Sequence, residues 1–305
     1  MINLQNVCYE YTNKKALDDI SFNIEKGSIT ALVGPNGAGK TTLMNCITAL
    51  EEPFSGLIEV DGLNTIKYPR EVHSKIGYLS DFFGLYKDLT VRQCLEFSAK
   101  IHQISPKNIK NRIEEICLNL NLSQYLDFEA GNLSRGFRQV LGIAQALIHN
   151  PKILILDEPT SGLDPEAREN LSNLFRKLQK EGMTILVSSH IISELEEYCQ
   201  DMILLREGKL IEHCKKDNFA KTHNNEIKVR ISLLENSQKY LDQIIAFDTV
   251  NEVQILENEI EFNFNGNEID LNLLLKKFIL SNIPIFNFTS NKQGLKDIYL
   301  KHTNK

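Results

Sequence analysis

The chain is 305 residues long, 42% apolar and 24% charged, with a formal net charge of -6. That length predicts one large domain plus a smaller one, and the negative balance argues against a broad nucleic-acid surface. Cys8, Cys46, Cys94, Cys117, Cys199 and Cys214 form no CxxC pair, so neither a zinc site nor a disulfide framework is expected, and the thiols fit a reduced, cytosolic protein. The opening MINLQNVCYEYTNKK lacks the apolar core of a signal peptide. No window approaches about 20 apolar residues, so no bilayer span is expected and any transport path would belong to another polypeptide.

In chain order, residues 2–30 read as short strands with turns, ending in the apolar run ITALVG, a buried strand. A glycine-rich loop then enters a helix at TTLMNCITAL. Residues 94–130 carry helical spacing, with SPKN as a start signal. KILILD and TILVSS are further buried strands with a helix between them, a repetition that predicts a parallel sheet covered by helices. MILLREGKLIEH reads as a hairpin around Glu207-Gly208. The polar stretch KKDNFAKTHNN reads as a linker, which puts the domains at 1–217 and 218–305. Beyond it the order is strand, helix, strand, strand, helix, strand, a small α+β domain of split-βαβ or ferredoxin-like kind.

Gly34-Pro35-Asn36-Gly37-Ala38-Gly39-Lys40-Thr41 fits GxxxxGK[ST] between a strand and a helix. Glycines let backbone N–H groups turn inward around phosphate oxygens, and the helix N-terminus adds partial positive charge. Lys40 supplies a cation to the terminal phosphates, and the Thr41 hydroxyl is a ligand for Mg²⁺. Asp157 and Glu158 end a buried strand, where ligands of open α/β sheets bind. Asp157 suits Mg²⁺ and Glu158 suits the polarisation of an attacking water. His190 follows the TILVSS strand; taken alone, such a histidine is more often a structural hydrogen-bonder.

Over about residues 1–215 the sequence resembles the nucleotide-binding subunits of ABC transporters. The resemblance rests on GPNGAGKTT as Walker A, LSRGFRQ at 133–139 as the signature, ILILDE as Walker B, SGLD at 161–164 as the D-loop, and His190 as the switch histidine. It implies an α/β P-loop NTPase fold with ABC-type antiparallel β and helical subdomains. It also implies ATP and Mg²⁺ as ligands, with Asn36, Gly37, Ala38, Gly39, Lys40, Thr41 and Thr42 around the phosphates. Tyr11 takes the place of the aromatic that stacks on adenine, or is a half-buried strand tyrosine. Ser134 and Gly136 would contact the γ-phosphate held by the opposing subunit, Asp164 would connect the two sites, and His190 would hold the γ-phosphate. The implied partners are a second ATPase subunit, either an identical chain or another polypeptide, and a membrane permease that places the protein at the cytoplasmic face. A single nucleotide-binding domain with a small C-terminal domain resembles exporter subunits more than importer ones.

Two residues depart from the family pattern. Asp81 stands where the Q-loop glutamine belongs; it is able to ligate Mg²⁺ but not to donate as an amide does. LSRGF replaces LSGGQ, so that Arg135 either supplies extra charge or points to solvent. Phe82, Phe83 and Tyr86 either form the surface that passes the cycle to the membrane domains or belong to the core. The rivals are a non-transport ABC ATPase of translation or DNA maintenance, and a P-loop switch or kinase. The first usually carries two ATPase domains or a coiled-coil insertion; the second leaves LSRGF unexplained and needs an NKxD pattern that is missing.

Overall fold

The computed structural model describes residues 1–12, 14–189, 195, 198–215, 226–257 and 259–292. The chain divides into two compact units, Met1–Cys214 and Lys215–Lys305.

In the first unit, β1 (Ile2–Tyr11) and β2 (Lys14–Ile24) pair antiparallel. All five residues of β3 (Ile29–Val33) are buried, as a central strand covered on both faces requires. It runs through residues 34–39 into α1 (Lys40–Ile47). β4 (Ser55–Val60) and β5 (Leu63–Asn64) extend the antiparallel sheet in the order β2-β1-β4-β5. α2 (Pro69–Lys75), β6 (Ile76–Leu79) and a helical region follow, the last comprising α3 (Val91–Ile101), α4 (Pro106–Asn119) and α5 (Arg135–Leu147). The helical spacing expected over 94–130 is divided where Gln103 and Asn121 each take a left-handed φ of 56°. Ser105-Pro106 starts the second helix, because proline is pre-set for the first helical position. After Asn121 only single 3-10 turns form, at Ser123–Tyr125 and Ala130–Asn132.

β7 (Ile153–Leu156), α6 (Pro165–Lys180), β8 (Thr184–Ser189), β9 (Asp201–Arg206) and β10 (Lys209–Lys215) complete the unit. Its second sheet has the order β10-β9-β3-β8-β7-β6, with β9, β3, β8, β7 and β6 parallel. The order departs from β3 in both directions, so the crevice outside its carboxyl end is the place where ligands bind such sheets. Glu207 and Gly208 turn the β9–β10 hairpin with φ of 51° and 76°, as a two-residue type I′ turn demands. One core joins Ile20 and Ile24 of β2, Leu43 and Met44 of α1, and Leu32, Ile155 and Leu186 of the parallel sheet. Each such side chain contributes about 1.5–3 kcal/mol on burial, which holds the phosphate-loop helix between the two sheets.

The second unit runs β11 (Glu226–Leu233), a 3-10 turn at Ser237–Tyr240 that passes into α7 (Leu241–Ile245), β12 (Val250–Leu256), β13 (Glu259–Asn265), α8 (Glu268–Leu280) and β14 (Ile285–Lys292). Its sheet has the order β12-β13-β11-β14 and is antiparallel throughout. Ile227, Val229 and Ile231 alternate inward against Phe262, Leu274 and Phe278. The intervening residues carry charge: Lys228 and Arg230 meet Glu261 at 2.6 and 2.9 Å. Among the described residues no helix is long and apolar enough to cross a membrane.

Candidate functional site

Gly39 has a φ of 104°, and a Cβ there would meet the Ala16 carbonyl oxygen at 2.6 Å, so the loop needs glycine at this point on two counts. The N-terminus of α1 has no side-chain cap and no acidic residue in its first turn. Its positive end is therefore not neutralised from within the helix and is suited to an anion. Lys40 begins that helix and is only 7% exposed. Its Nζ donates to the carbonyls of Gly34 at 2.8 Å and Pro35 at 3.3 Å, and lies 3.8 Å from Glu158 Oε1.

The buried β7 delivers Asp157 and Glu158 to the same crevice. Asp157 is 2% exposed. Its two oxygens accept from Thr41 Oγ1 at 2.7 Å and Ser188 Oγ at 2.5 Å. Ser188 also accepts from the Glu158 backbone N–H at 2.9 Å, so one hydroxyl on β8 orders both acidic residues. Glu158 has a φ of 49°, a left-handed conformation that costs a non-glycine residue on the order of 1 kcal/mol or more and that aims its side chain towards Lys40. Thr41 and Asp157 together offer only oxygen atoms, the donor set that Mg²⁺ takes when substrate phosphates supply the remainder.

A cleft of about 320 Å³ gathers Tyr11, Asn36, Gly37, Gly39, Lys40, Thr41, Thr42, Asp81, Asp157 and Glu158. Lys14 and Ala16 of β2 line it as well. Tyr11 is 46% exposed, and its hydroxyl lies 3.4 Å from that of Thr42, which leaves a ring face on the rim rather than in the core. Ala38 does not line the cleft: it is buried, and its amide donates to the Pro35 carbonyl. Ser134 and Gly136 stand elsewhere, in a second cleft with Asp164 and Ala167. There Ser134 caps α5, its hydroxyl accepting from the Phe137 amide at 3.3 Å, and Asp164 caps α6 through the Ala167 amide at 2.8 Å. Arg135 donates to the Ser161 carbonyl at 2.9 Å, so the expectation of a side chain that merely points to solvent does not hold. His190 lies outside the described residues. Ser188, two positions before it, was not singled out by sequence reasoning; the only hint was a small hydroxyl residue near the end of a buried strand.

Phe82 is 94% and Tyr86 59% exposed, so neither is core. Phe83 and Tyr86 line a third cleft, about 410 Å³, with Phe97, His102 and His149. The two histidine rings stack at 3.8 Å. Burial, then the neighbouring His102, pushes the His149 pKa down to about 4, so that ring is neutral near pH 7.

The family model described as ABC transporter matches residues 17–161. The chain is similar to the ABC transporter ATP-binding protein NatA of Bacillus subtilis (strain 168), with 36% identity over 231 residues covering 74% of this chain and 94% of that one. It is also similar to the bacitracin transport ATP-binding protein BcrA of Bacillus licheniformis, at 34% identity over 95% of this chain and 93% of the relative. A solved dimeric ATP-binding cassette, in a post-hydrolysis state bound to ADP and Pi, superposes with a TM-score of 0.64 at 28% identity, covering 71% of this chain and 99% of that one. The phosphate loop, the paired acids and these relatives agree, and the chain belongs to the ATP-binding subunits of ABC transporters, ATPases that convert ATP to ADP and phosphate.

Proposed function

We propose that two copies of this chain enclose ATP between them and that the cycle of closing and opening drives a separate membrane permease. The observation that carries this reading is the separation of Ser134 and Gly136 from the cleft that holds Lys40, Thr41, Asp157 and Glu158. A site with the phosphate loop in one cleft and the signature in another is completed by a second copy. ATP then acts as a ligand that binds the closed dimer better than the open one, and its loss reopens the pair.

Within each site, Tyr11 offers its ring to the base, and the loop from Asn36 to Thr42 encloses the phosphates. Lys40 draws charge from the terminal phosphate; bound ATP gives its ammonium a stronger acceptor than the Gly34 and Pro35 carbonyls. Thr41 and Asp157 would hold Mg²⁺, with Asp81 at the rim as a third oxygen donor; the ion supplies charge neutralisation of the phosphates. Glu158, with its backbone pinned to Ser188, holds and polarises the attacking water. His190 and the opposing copy's Ser134 and Gly136 bind the γ-phosphate. The exposed Phe82 and Tyr86 beside the third cleft are the surface that meets the permease, which places the chain at the cytoplasmic face of a membrane. The extensive match to a bacitracin-transport relative supports a role in transport, the single nucleotide-binding domain with a small C-terminal domain favours export, and residues 218–305 act as an accessory domain without chemistry.

Mixing two defective chains tests the arrangement. A Lys40→Ala chain and a Ser134→Ala chain are each impaired in both sites of their own dimers. In a mixed dimer one site regains an intact loop and an intact signature. Turnover that rises on mixing supports the shared site; turnover equal to the average of the two contradicts it.

A further inference from the structure

Arg135 occupies a place where elementary electrostatics does not want a cation. It is the first residue of α5, a helix with no acidic residue in its first turn, and the helix dipole opposes positive charge there. What it gains is a contact with a different segment of the same chain. Its Nη2 donates to the Ser161 carbonyl at 2.9 Å. The guanidinium also lies over Gly162: a Cβ on that glycine would meet Cζ, Nη1 and Nη2 at 2.3–2.4 Å. Gly162 has a φ of 66°, so the backbone is turned to present its bare Cα to the plane of the guanidinium.

Ser161 is one hydrogen bond from the catalytic turn. Its amide donates to the Glu158 carbonyl at 3.1 Å, while the Glu158 amide is held by Ser188 at 2.9 Å. Beyond it, Leu163 is buried, its amide donates to the Thr160 carbonyl at 3.2 Å, and Asp164 caps α6. Residues 158–164 are thus fixed at both ends, and Arg135 holds the middle.

We propose that Arg135 is a positioning residue that ties the signature segment to the turn presenting Glu158, so that engagement of Ser134 by the opposing copy's ATP sets the geometry of this chain's own hydrolytic site. The inference rests on the shared-site reading above. Arg135 touches neither ATP nor water in this role; it transmits position through Ser161, and catalysis is sensitive to such displacements.

The test is steady-state ATP turnover by the full chain, with thermal unfolding as a control. Arg135→Ala lowers kcat about tenfold and leaves KM for ATP within about twofold, because the phosphate contacts are untouched. Its thermal stability changes little, since loss of the exposed bond to Ser161 is offset by removal of a cation from the positive end of a helix. Arg135→Lys recovers part of the loss: an ammonium reaches the Ser161 carbonyl but does not lie flat on Gly162. Gly162→Ala reproduces the kcat loss by driving the guanidinium away. Gly182→Ala, at a φ of 95° with nothing within 4 Å of its Cβ, carries the backbone strain alone and leaves kcat unchanged. A kcat of Arg135→Ala equal to that of the unaltered chain overturns the proposal. So does a tenfold rise in KM at unchanged kcat, which would put Arg135 on the phosphate itself, and so does an equal effect of the two glycine substitutions. Failure of the unaltered chain to turn over ATP would instead strike the ATPase reading.

Discussion

The first unit and the second each bury a carboxylate on a β-sheet, and they satisfy it in opposite ways. Glu261 on β13 faces two cations, Lys228 and Arg230, at 2.6 and 2.9 Å. Asp157, at the carboxyl end of β7, accepts from the hydroxyls of Thr41 and Ser188, at 2.7 and 2.5 Å. Neutral hydroxyl donors are weaker partners than cations and leave the carboxylate its charge for a metal. Position explains the difference. Glu261 lies within an antiparallel ladder whose neighbours sit across from it, so cross-strand pairing satisfies it. Asp157 stands where parallel strands stop and loops begin, with space in front of it. A buried charge marks a reactive site only where the sheet geometry leaves an opening.

That contrast is broken most severely by Glu158→Gln. The amide keeps shape and loses the charge that polarises water, so turnover falls about a thousandfold while ATP binding persists. Turnover within tenfold of the unaltered chain would remove Glu158 from the hydrolytic step. Lys40→Ala comes next: loss of a charge-assisted contact weakens ATP by about 1.5–3 kcal/mol, or about 10- to 150-fold, in a nucleotide titration. Unchanged affinity would mean that the loop binds another ligand.

The second unit sharpens the comparison by responding in stability alone. Burial pushes the Glu261 carboxyl up, but the bonds from Lys228 and Arg230 together outweigh it and hold its pKa below the ordinary 4.5. A carboxyl with a depressed folded pKa contributes stability above its unfolded value and loses it as pH falls through the folded one. The unit's unfolding midpoint is therefore level from neutral pH down to about 5 and drops below about 4.5. Glu261→Gln costs about 1 kcal/mol at pH 7, flattens that drop and leaves ATP turnover unchanged. A fall in turnover would tie the second unit to the chemistry.

Asp81→Gln has the smallest effect. The carboxylate repels the γ-phosphate unless a metal screens it, so its removal lowers the Mg²⁺ concentration for half-maximal ATP binding, by about two- to fivefold. Superimposable curves would leave Asp81 an ordinary loop residue, and a shift to higher Mg²⁺ would show that its charge recruits the ion more than it repels the phosphate.

The sequence made the core of the site readable because backbone chemistry demanded particular residues there. Gly39 is forced by its φ and by the Ala16 carbonyl, and Asp157 by the end of a buried strand, so pattern and geometry coincide. The second unit's strands at 226–233 and 259–265 are legible from period-two alternation, whereas β12 interrupts it with a register shift between Asn251 and Gln254. The first helix expected beyond the linker forms as a 3-10 turn at Ser237–Tyr240 and the five-residue α7, because so short a segment is decided by packing of Tyr240 and Ile244 rather than by propensity. Ser188 and the Arg135–Ser161 bond were not legible. Both depend on contacts between segments 26 or more residues apart, which no local pattern records.

The mass of the Glu158→Gln chain in solution tests the shared site most directly. With ATP and Mg²⁺, light scattering should give twice the 34.8 kDa of one chain, and with ADP the single-chain mass. Adding Ser134→Arg should abolish the doubling while nucleotide still binds at the phosphate loop. A mass that stays at one chain under saturating ATP, or one that is doubled regardless of nucleotide, would contradict the account.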